Sequence, residues 1–297
     1  MKTVSVVVAT YRRDAELEKA LNSLTFQSYS NIEIVLVDDN GNVEWNKKVS
    51  AIVEKFKSNY SNILLNYIVN NPNQGSAKTR NIGIEAATGE YITFLDDDDI
   101  YLKDKVKKQV EFMECNGYDY SITDLVLYDE NDKETDKRVR NYIKSTSVSS
   151  LRIYHLKYHM TGTDTMMFKK EYLIKIGGFA SIDVGDEFYL MQSAIEGGGK
   201  FGYLPGCDIK AYIHTGEYGL SSGESKIKGE NALYEYKTQF FNQLLSKDVR
   251  YIKMRHHAVL AFAYKRMGKP SEFLRHGIIG AFTAPIECVK LIIGRKI

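Results

Sequence analysis

Short apolar runs and amphipathic stretches alternate four times within about the first 95 residues, and few architectures tolerate that order. Residues 3–9 (TVSVVVA), 32–37 (IEIVLV), 63–69 and 91–95 are short, apolar and largely β-branched, the signature of buried strands. Between them, residues 13–24 place Leu17, Ala20, Leu21 and Leu24 at helical spacing. Residues 47–56 are helical by pattern, and 76–87 repeat small and apolar residues until Gly89 stops them. This alternation predicts a mostly parallel α/β sheet covered by helices on both faces. In such sheets ligands bind outside the carboxyl ends of the strands. Three predicted strands deliver polar residues there: Thr10 to Arg13, Asp38 to Asn40, and Asp96 to Asp99. They are expected to converge on one crevice.

The rest of the chain is less regular. Residues 120–128 read as one strand, and the charged stretch 129–140 as a solvated loop or hairpin. Residues 166–168 precede a short helix over 170–176, capped by Gly177 and Gly178, and 186–196 read as a further helix. From Gly229 onward the pattern is two or three helices, with Pro270 and Pro285 where new ones start. The boundary is drawn at 223, giving a domain over 1–223 and a helical extension over 224–297.

Charge divides along the same line. The net charge of +2 is too small for a dedicated nucleic-acid binder. Yet the chain from Ser225 onward carries 14 Lys and Arg against 5 Asp and Glu, or +9, leaving −7 for what precedes it. The three cysteines, Cys115, Cys207 and Cys288, form no CxxC pair, so buried free thiols in a reducing compartment are expected. The opening MKTVSVVVATYRR has too short an apolar run for a signal peptide, and no uninterrupted apolar window of about 18–20 residues exists to span a bilayer. A cytoplasmic location, with the inner face of the membrane as the alternative, is the expectation.

The sharpest chemical signal is FLDDDD, residues 94–99. Two unit charges about 4 Å apart cost about 4 kcal/mol at an effective dielectric near 20, so such a run needs compensation. A hard divalent cation such as Mg²⁺ or Mn²⁺ would supply it, sharing carboxylates with substrate phosphates. Asp99 is expected to cap a following helix that begins near Tyr101. Asp39 follows a buried strand, where a carboxylate either closes an Asx turn or accepts hydrogen bonds from a base or ribose. Arg80, a turn inside its helix, either bridges a diphosphate or pairs with a nearby acid. Asp186 and Glu187 open a helix, where acidic residues suit the dipole or, facing the crevice, supply a general base. His214 lies in HTGEYGLSSG, which reads as a mobile lid. No GxGxxG or GxxxxGK[ST] occurs in the Arg80 segment, so the dinucleotide and P-loop fingerprints do not apply.

The ordered set SVVVATYRR, LNSLTFQSY, IEIVLVDDN, NQGSAKTRNIG, GEYITFLDDDD, IGGF, GDEFYL and HTGEYGLSS resembles the family 2 glycosyltransferases, which have the GT-A fold. The resemblance covers about residues 1–223. It implies inverting transfer of a sugar from a nucleotide-diphospho-sugar, commonly a UDP-sugar, to a hydroxyl acceptor. It implies a Rossmann-like mixed, mostly parallel sheet flanked by helices. It implies that Thr10, Tyr11 and Arg13 line the nucleotide pocket, that Asp39 contacts the base, and that Arg80 and Asp97 lie at the nucleotide. Asp96 and Asp98 match the outer positions of the DxD motif, and with His214 would hold Mn²⁺ or Mg²⁺. The family usually shows Glu-Asp at the base position, whereas this chain reads Asp-Glu. Leu190 places Glu187 in the catalytic column, with Asp186 as the other candidate.

The acceptor stretch HMTGTD, residues 159–164, is readable only as polar. A glycan or lipid-linked acceptor, in cell-surface polysaccharide or glycoconjugate synthesis, is what the family suggests. The basic, Tyr-rich tail leaves two uses open: an interfacial helix on an anionic leaflet, or a helical subdomain that packs on the catalytic region or pairs two subunits. Two rival functions are a non-catalytic nucleotide- or sugar-binding module and a sugar-nucleotide nucleotidyltransferase. The second would normally carry a Gly-rich loop after the first strand, and TYRRDAEL has no Gly.

Overall fold

The computed structural model describes residues 1–182, 185–213 and 223–294, with 292–294 in backbone alone. In chain order the first elements are β1 (Val4–Thr10), α1 (Ala15–Thr25), β2 (Ile32–Asp38), α2 (Val43–Asn59), β3 (Leu64–Val69), α3 (Ser76–Ala86) and β4 (Tyr91–Asp96). They follow the predicted alternation. Asp14 caps α1 by accepting from Ala15 N, and Asn42 caps α2 by accepting from Glu44 N and Trp45 N. Next come β5 (Ile100–Tyr101), α4 (Lys105–Asn116), β6 (Tyr120–Thr123), β7 (Leu125–Tyr128), β8 (Glu134–Arg138) and α5 (Val148–Tyr158). They are followed by β9 (Met166–Lys169), α6 (Lys170–Lys175), α7 (Asp186–Glu196), β10 (Phe201–Leu204) and β11 (Ile209–Tyr212). The remaining helices are α8 (Gly223–Thr238), α9 (Ser246–Arg266), α10 (Pro270–Thr283) and α11 (Pro285–Gly294).

The chain divides into two compact units. The first comprises residues 1–148, 160–182 and 186–213. Its main sheet has the order β10-β6-β9-β4-β1-β2-β3, and every pairing is parallel except the two made by β9. The expected mixed, mostly parallel sheet flanked by helices is therefore present. β1 lies between β4 and β2, so the carboxyl ends of these three strands are neighbours. A smaller sheet has the order β5-β11-β7-β8. The core is built on the fully buried Val4, Val6 and Val8 of β1, Ile34 and Leu36 of β2, and Leu17 and Leu21 of α1. Helix α3 presses so closely on β1 that a Cβ at Gly83 would collide with Val7.

Three local expectations are corrected. Residues 120–128 form two strands, not one, because the chain breaks at Asp124 and each half joins a different sheet. Asp124 is buried there and accepts from Arg140 N (3.0 Å), Tyr203 OH (2.6 Å) and Gly206 N (2.9 Å). The charged stretch after it is a hairpin arm, β8, antiparallel to β7. Asp99 caps no helix: the chain continues into β5, and the next helix starts at Lys105. Of the cysteines, which are free, Cys115 is exposed and the other two half-buried, so the expected burial does not hold.

The second unit takes residues 149–159, 185 and 223–294 of the described chain. It holds the C-terminal helical extension, of four helices rather than two or three, and Pro270 and Pro285 begin the last two as expected. Inside this unit Lys157 Nζ meets Asp248 Oδ1 at 2.6 Å, and His256 Nδ1 lies 3.1 Å from Glu230 Oε1. Ile227 and Leu233 of α8 and Ile252, Met254, Leu260 and Ala261 of α9 are buried apolar residues of this unit.

Candidate functional site

All the site geometry described here belongs to the first unit. The loop after β1 is laced to the turn after β4 by Asp97. Its Oδ2 accepts from Thr10 Oγ1 (2.8 Å) and Tyr11 N (3.2 Å), and its Oδ1 from Arg13 Nη1 (2.7 Å). Burial raises the Asp97 carboxyl, while Arg13 and these hydrogen bonds pull it back. Arg13 Nη1 also lies 2.6 Å from Asp98 Oδ2. Asp97 thus fixes the loop, and Asp98 is paired with Arg13.

Asp39 is almost fully buried and holds the loop entering α3. Its carboxylate accepts from Asn70 Nδ2 (2.8 Å), Gln74 N (2.7 Å) and Gly75 N (2.9 Å). Gly75 has φ of +82°, which favours glycine at this entry. Through this loop Asp39 sets the start of the helix that carries Arg80.

Arg80 bridges two elements. Its Nη1 donates to Asp186 Oδ2 (2.8 Å) at the start of α7, and its Nη2 to Asp96 Oδ1 (2.7 Å) at the end of β4. The guanidinium lies over the Phe179 ring, 5.4 Å from its centre. Burial opposes its charge, but Asp96 and Asp186 outweigh burial and hold its pKa above the ordinary arginine value. Ser76 Oγ also donates to Asp186 Oδ2, at 3.2 Å. Next to this pair, Glu187 is half-buried. Burial first, and the Asp186 charge second, push its carboxyl up to about 7. A carboxylate near neutrality is suited to take a proton at working pH.

The acidic run gathers a partner from elsewhere. Asp164, in the stretch readable only as polar, accepts at Oδ1 from Asp96 N (2.8 Å). Carboxylate oxygens of Asp96, Asp99 and Asp164 all lie within 4.8 Å of one another. Burial and then the Asp96 charge push Asp164 up to about 7, and burial and then Asp164 raise Asp99 well above the usual carboxylate range. Asp99 also accepts from Tyr212 N at 2.8 Å. Close by, buried Lys105 donates from Nζ to Tyr101 OH at 2.7 Å and to Thr93 Oγ1, and burial brings its pKa down to about 7. Three hard oxygen donors at this spacing fit Mg²⁺ or Mn²⁺ better than a soft metal.

Of the residues singled out from sequence, Thr10, Tyr11, Arg13, Asp97 and Asp98 are tied together, and Arg80 joins Asp96 to Asp186. Asp39 acts on the same assembly through the α3 entry. His214 lies outside the described residues. Sequence reasoning passed over Asp164, Lys105, Phe179 and Ser76. Asp164 stood as the lone acid of HMTGTD, one residue before the apolar run MMF, while Ser76 and Phe179 lay within NQGSAKTRNIG and IGGF without a role.

The model of glycosyl transferase family 2 matches residues 5–177. An uncharacterized glycosyltransferase of Haemophilus influenzae is 32% identical over 181 residues, covering 60% of this chain and 56% of that protein. An Escherichia coli protein named UDP-Glc:alpha-D-GlcNAc-diphosphoundecaprenol beta-1,3-glucosyltransferase WfaP is 34% identical over 128 residues, covering 43% of this chain and 47% of its own. The matches thus span about half the length of these relatives. Among solved structures, the mannosyltransferase PcManGT from Pyrobaculum calidifontis, in complex with GDP-Man and Mn2+, gives a TM-score of 0.62 at 17% identity, covering 99% of this chain and 84% of that one. S. aureus TarS 1-349 in complex with UDP-GlcNAc gives 0.60 at 17% identity, covering 94% and 91%. These two likenesses concern the fold alone.

Proposed function

The chain belongs to glycosyl transferase family 2, and from that premise we propose that it moves a sugar from a nucleoside-diphosphate sugar to an acceptor hydroxyl, with inversion at the anomeric carbon. The observation that carries this reading is the Asp96–Arg80–Asp186 bridge with Glu187 raised to about 7 beside it. A cation, with a carboxyl raised to near neutrality beside it, at the carboxyl ends of the central strands, where ligands of such sheets bind, supports this reading.

In this reading Glu187 accepts the acceptor hydroxyl proton as that oxygen forms its bond to the anomeric carbon. The bond from that carbon to the donor phosphate oxygen breaks, and the nucleoside diphosphate leaves with the electron pair. Asp186 is engaged by Arg80 and Ser76, which leaves Glu187 the more available base. Arg80 stabilises charge growing on the departing diphosphate. Thr10, Tyr11, Arg13 and Asp39 shape the nucleotide pocket, with Asp97 holding the Thr10–Arg13 loop in place. Asp96 belongs to both donor sets that would hold Mn²⁺ or Mg²⁺: Asp96, Asp98 and His214 by motif order, and Asp96, Asp99 and Asp164 by geometry. When bound there, the ion would neutralise the leaving diphosphate as a Lewis acid.

The catalytic region is proposed to span 1–223 and the basic helical extension 224–297. A UDP-sugar donor is supported by the names of WfaP and of the TarS complex, and a lipid-linked glycan acceptor by the name of WfaP. We place the reaction at the cytoplasmic side of a membrane, in cell-surface glycan synthesis. The test is a donor screen with Mn²⁺ or Mg²⁺, following released nucleoside diphosphate. Metal-dependent release from one nucleotide sugar, lost in Asp96→Asn, is the expected outcome. No release and no metal-dependent nucleotide binding would replace this reading with a non-catalytic module.

A further inference from the structure

The last two helices of the second unit present their apolar residues outward. In α10, Leu274, Ile278 and Phe282 recur every four residues and therefore share one face. They are 58%, 56% and 83% exposed. Exposed Ile279 adjoins them, and α11 adds Ile286 and Val289, 71% and 53% exposed. The other side of α10 is the one that docks. His276 Nδ1 lies 2.9 Å from His257 Nδ1 of α9, and a Cβ at Gly280 would rest against the Met254 carbonyl. A helix seated by its small and polar side, with leucine, isoleucine and phenylalanine turned out, reverses the usual amphipathic arrangement. Contiguous exposed apolar surface of this kind marks an interaction site.

Charge decides what it meets. Arg275 projects from the same sector of α10 as Phe282 and Ile279, and Lys290 adjoins Ile286 and Val289 on α11. Lys265 and Arg266 in the last turn of α9, and Lys269 just before α10, are exposed as well. Arg275 and Lys290 each pair with a half-buried i,i+3 acid, Glu272 at 3.2 Å and Glu287 at 3.0 Å, pairs too weak to withhold them from stronger anions. The chain from Ser225 onward carries +9 in all. A second copy pairing through the same face would bring that excess against itself. An anionic lipid surface accepts both properties at once: apolar side chains sink below the headgroups while long cationic ones reach the phosphates.

We propose that α10 and α11 form a membrane-docking face for anionic phospholipid, with Leu274, Ile278, Phe282, Ile286 and Val289 inserted and Arg275 and Lys290 at the headgroups. No helix among the described residues is long and apolar enough to cross a membrane, so the contact is peripheral. The inference stands on this face and does not depend on the transfer reaction.

The test is co-sedimentation of the full chain with phosphatidylcholine vesicles, with and without phosphatidylglycerol. Binding is expected only with the anionic lipid, weakening as salt is raised. The double variant Phe282→Ser/Ile286→Ser should lose at least about tenfold in affinity, and Arg275→Gln or Lys290→Gln about fivefold each. Both apolar positions are exposed, so thermal melts of the variants should match the parent, which separates lost docking from lost folding. Failure of the natively melting parent to bind anionic vesicles would overturn the proposal. So would equal binding to neutral vesicles, or a dimer in sedimentation velocity that the double variant splits, since a second copy would then own the face.

Discussion

Replacing Glu187 with Gln probes the proposed base through two independent readouts. The Glu187 carboxyl is raised from 4.5 to about 7, first by burial and then by Asp186. The native chain therefore keeps a proton that the unfolded chain releases between those values. Stability falls as pH rises across that window and stays lowered above it. The gap corresponds to roughly 2–3 kcal/mol once partial exposure is allowed for. Gln keeps the shape without the charge, so the variant should equal the parent near pH 4.5 and exceed it by about that amount at pH 8. Urea titrations at the two pH values measure the difference. Catalysis should move the other way, because a general base contributes about 10²–10⁴-fold. Nucleoside diphosphate release by the parent should rise through about pH 7, and the variant should lose at least about 100-fold with donor binding retained. Release within a few-fold of the parent, or a stability difference equal at both pH values, would refute the assignment.

Other perturbations separate the remaining parts of the site. Asp98→Asn and Asp164→Asn distinguish the two metal donor sets: the variant whose metal activation curve shifts to higher Mn²⁺ names the set in use, and indifference of both would reject a metal at either. Arg80→Met leaves Asp96 and Asp186 facing each other without their cation, and should cost about 3–5 kcal/mol in urea unfolding as well as abolishing release. Gly83→Ala forces α3 away from Val7 on β1, with an expected loss of about 1–3 kcal/mol and reduced turnover as Arg80 shifts. Unchanged stability in that variant would mean the helix repacks freely.

Much of the fold was legible because its information is local. Residues 3–9 and 32–37 are buried on both faces and so read as continuous apolar strands. The polar residues at their carboxyl ends had to cluster once the strands lay side by side. Within the site, Arg80 was legible as a cation with two uses, and it is paired with two acids from different elements. The stretch 120–128 reads as one strand because YSIT and LVLY are both strand formers with no Gly or Pro between them. Only the hydrogen bonds that turn the chain at buried Asp124 divide it between sheets. Asp99 was misassigned for a related reason: an acid before Tyr101 looks like a helix cap until the chain pairs β5 with β11.

Sequence alone determined the α/β order, the strand ends that carry acids, the family resemblance and the charge contrast between the two parts of the chain. Each depends on residue type and spacing over a few turns or strand lengths. Tertiary structure alone decided that Asp164 sits on the Asp96 amide from 68 residues away. It also decided that Asp97 serves the first loop, and that burial beside Asp186 brings Glu187 near neutrality. It decided too that α10 turns its apolar side outward. These properties depend on which distant groups share a low-dielectric space and which face of a helix finds a partner, and spacing along the chain encodes neither.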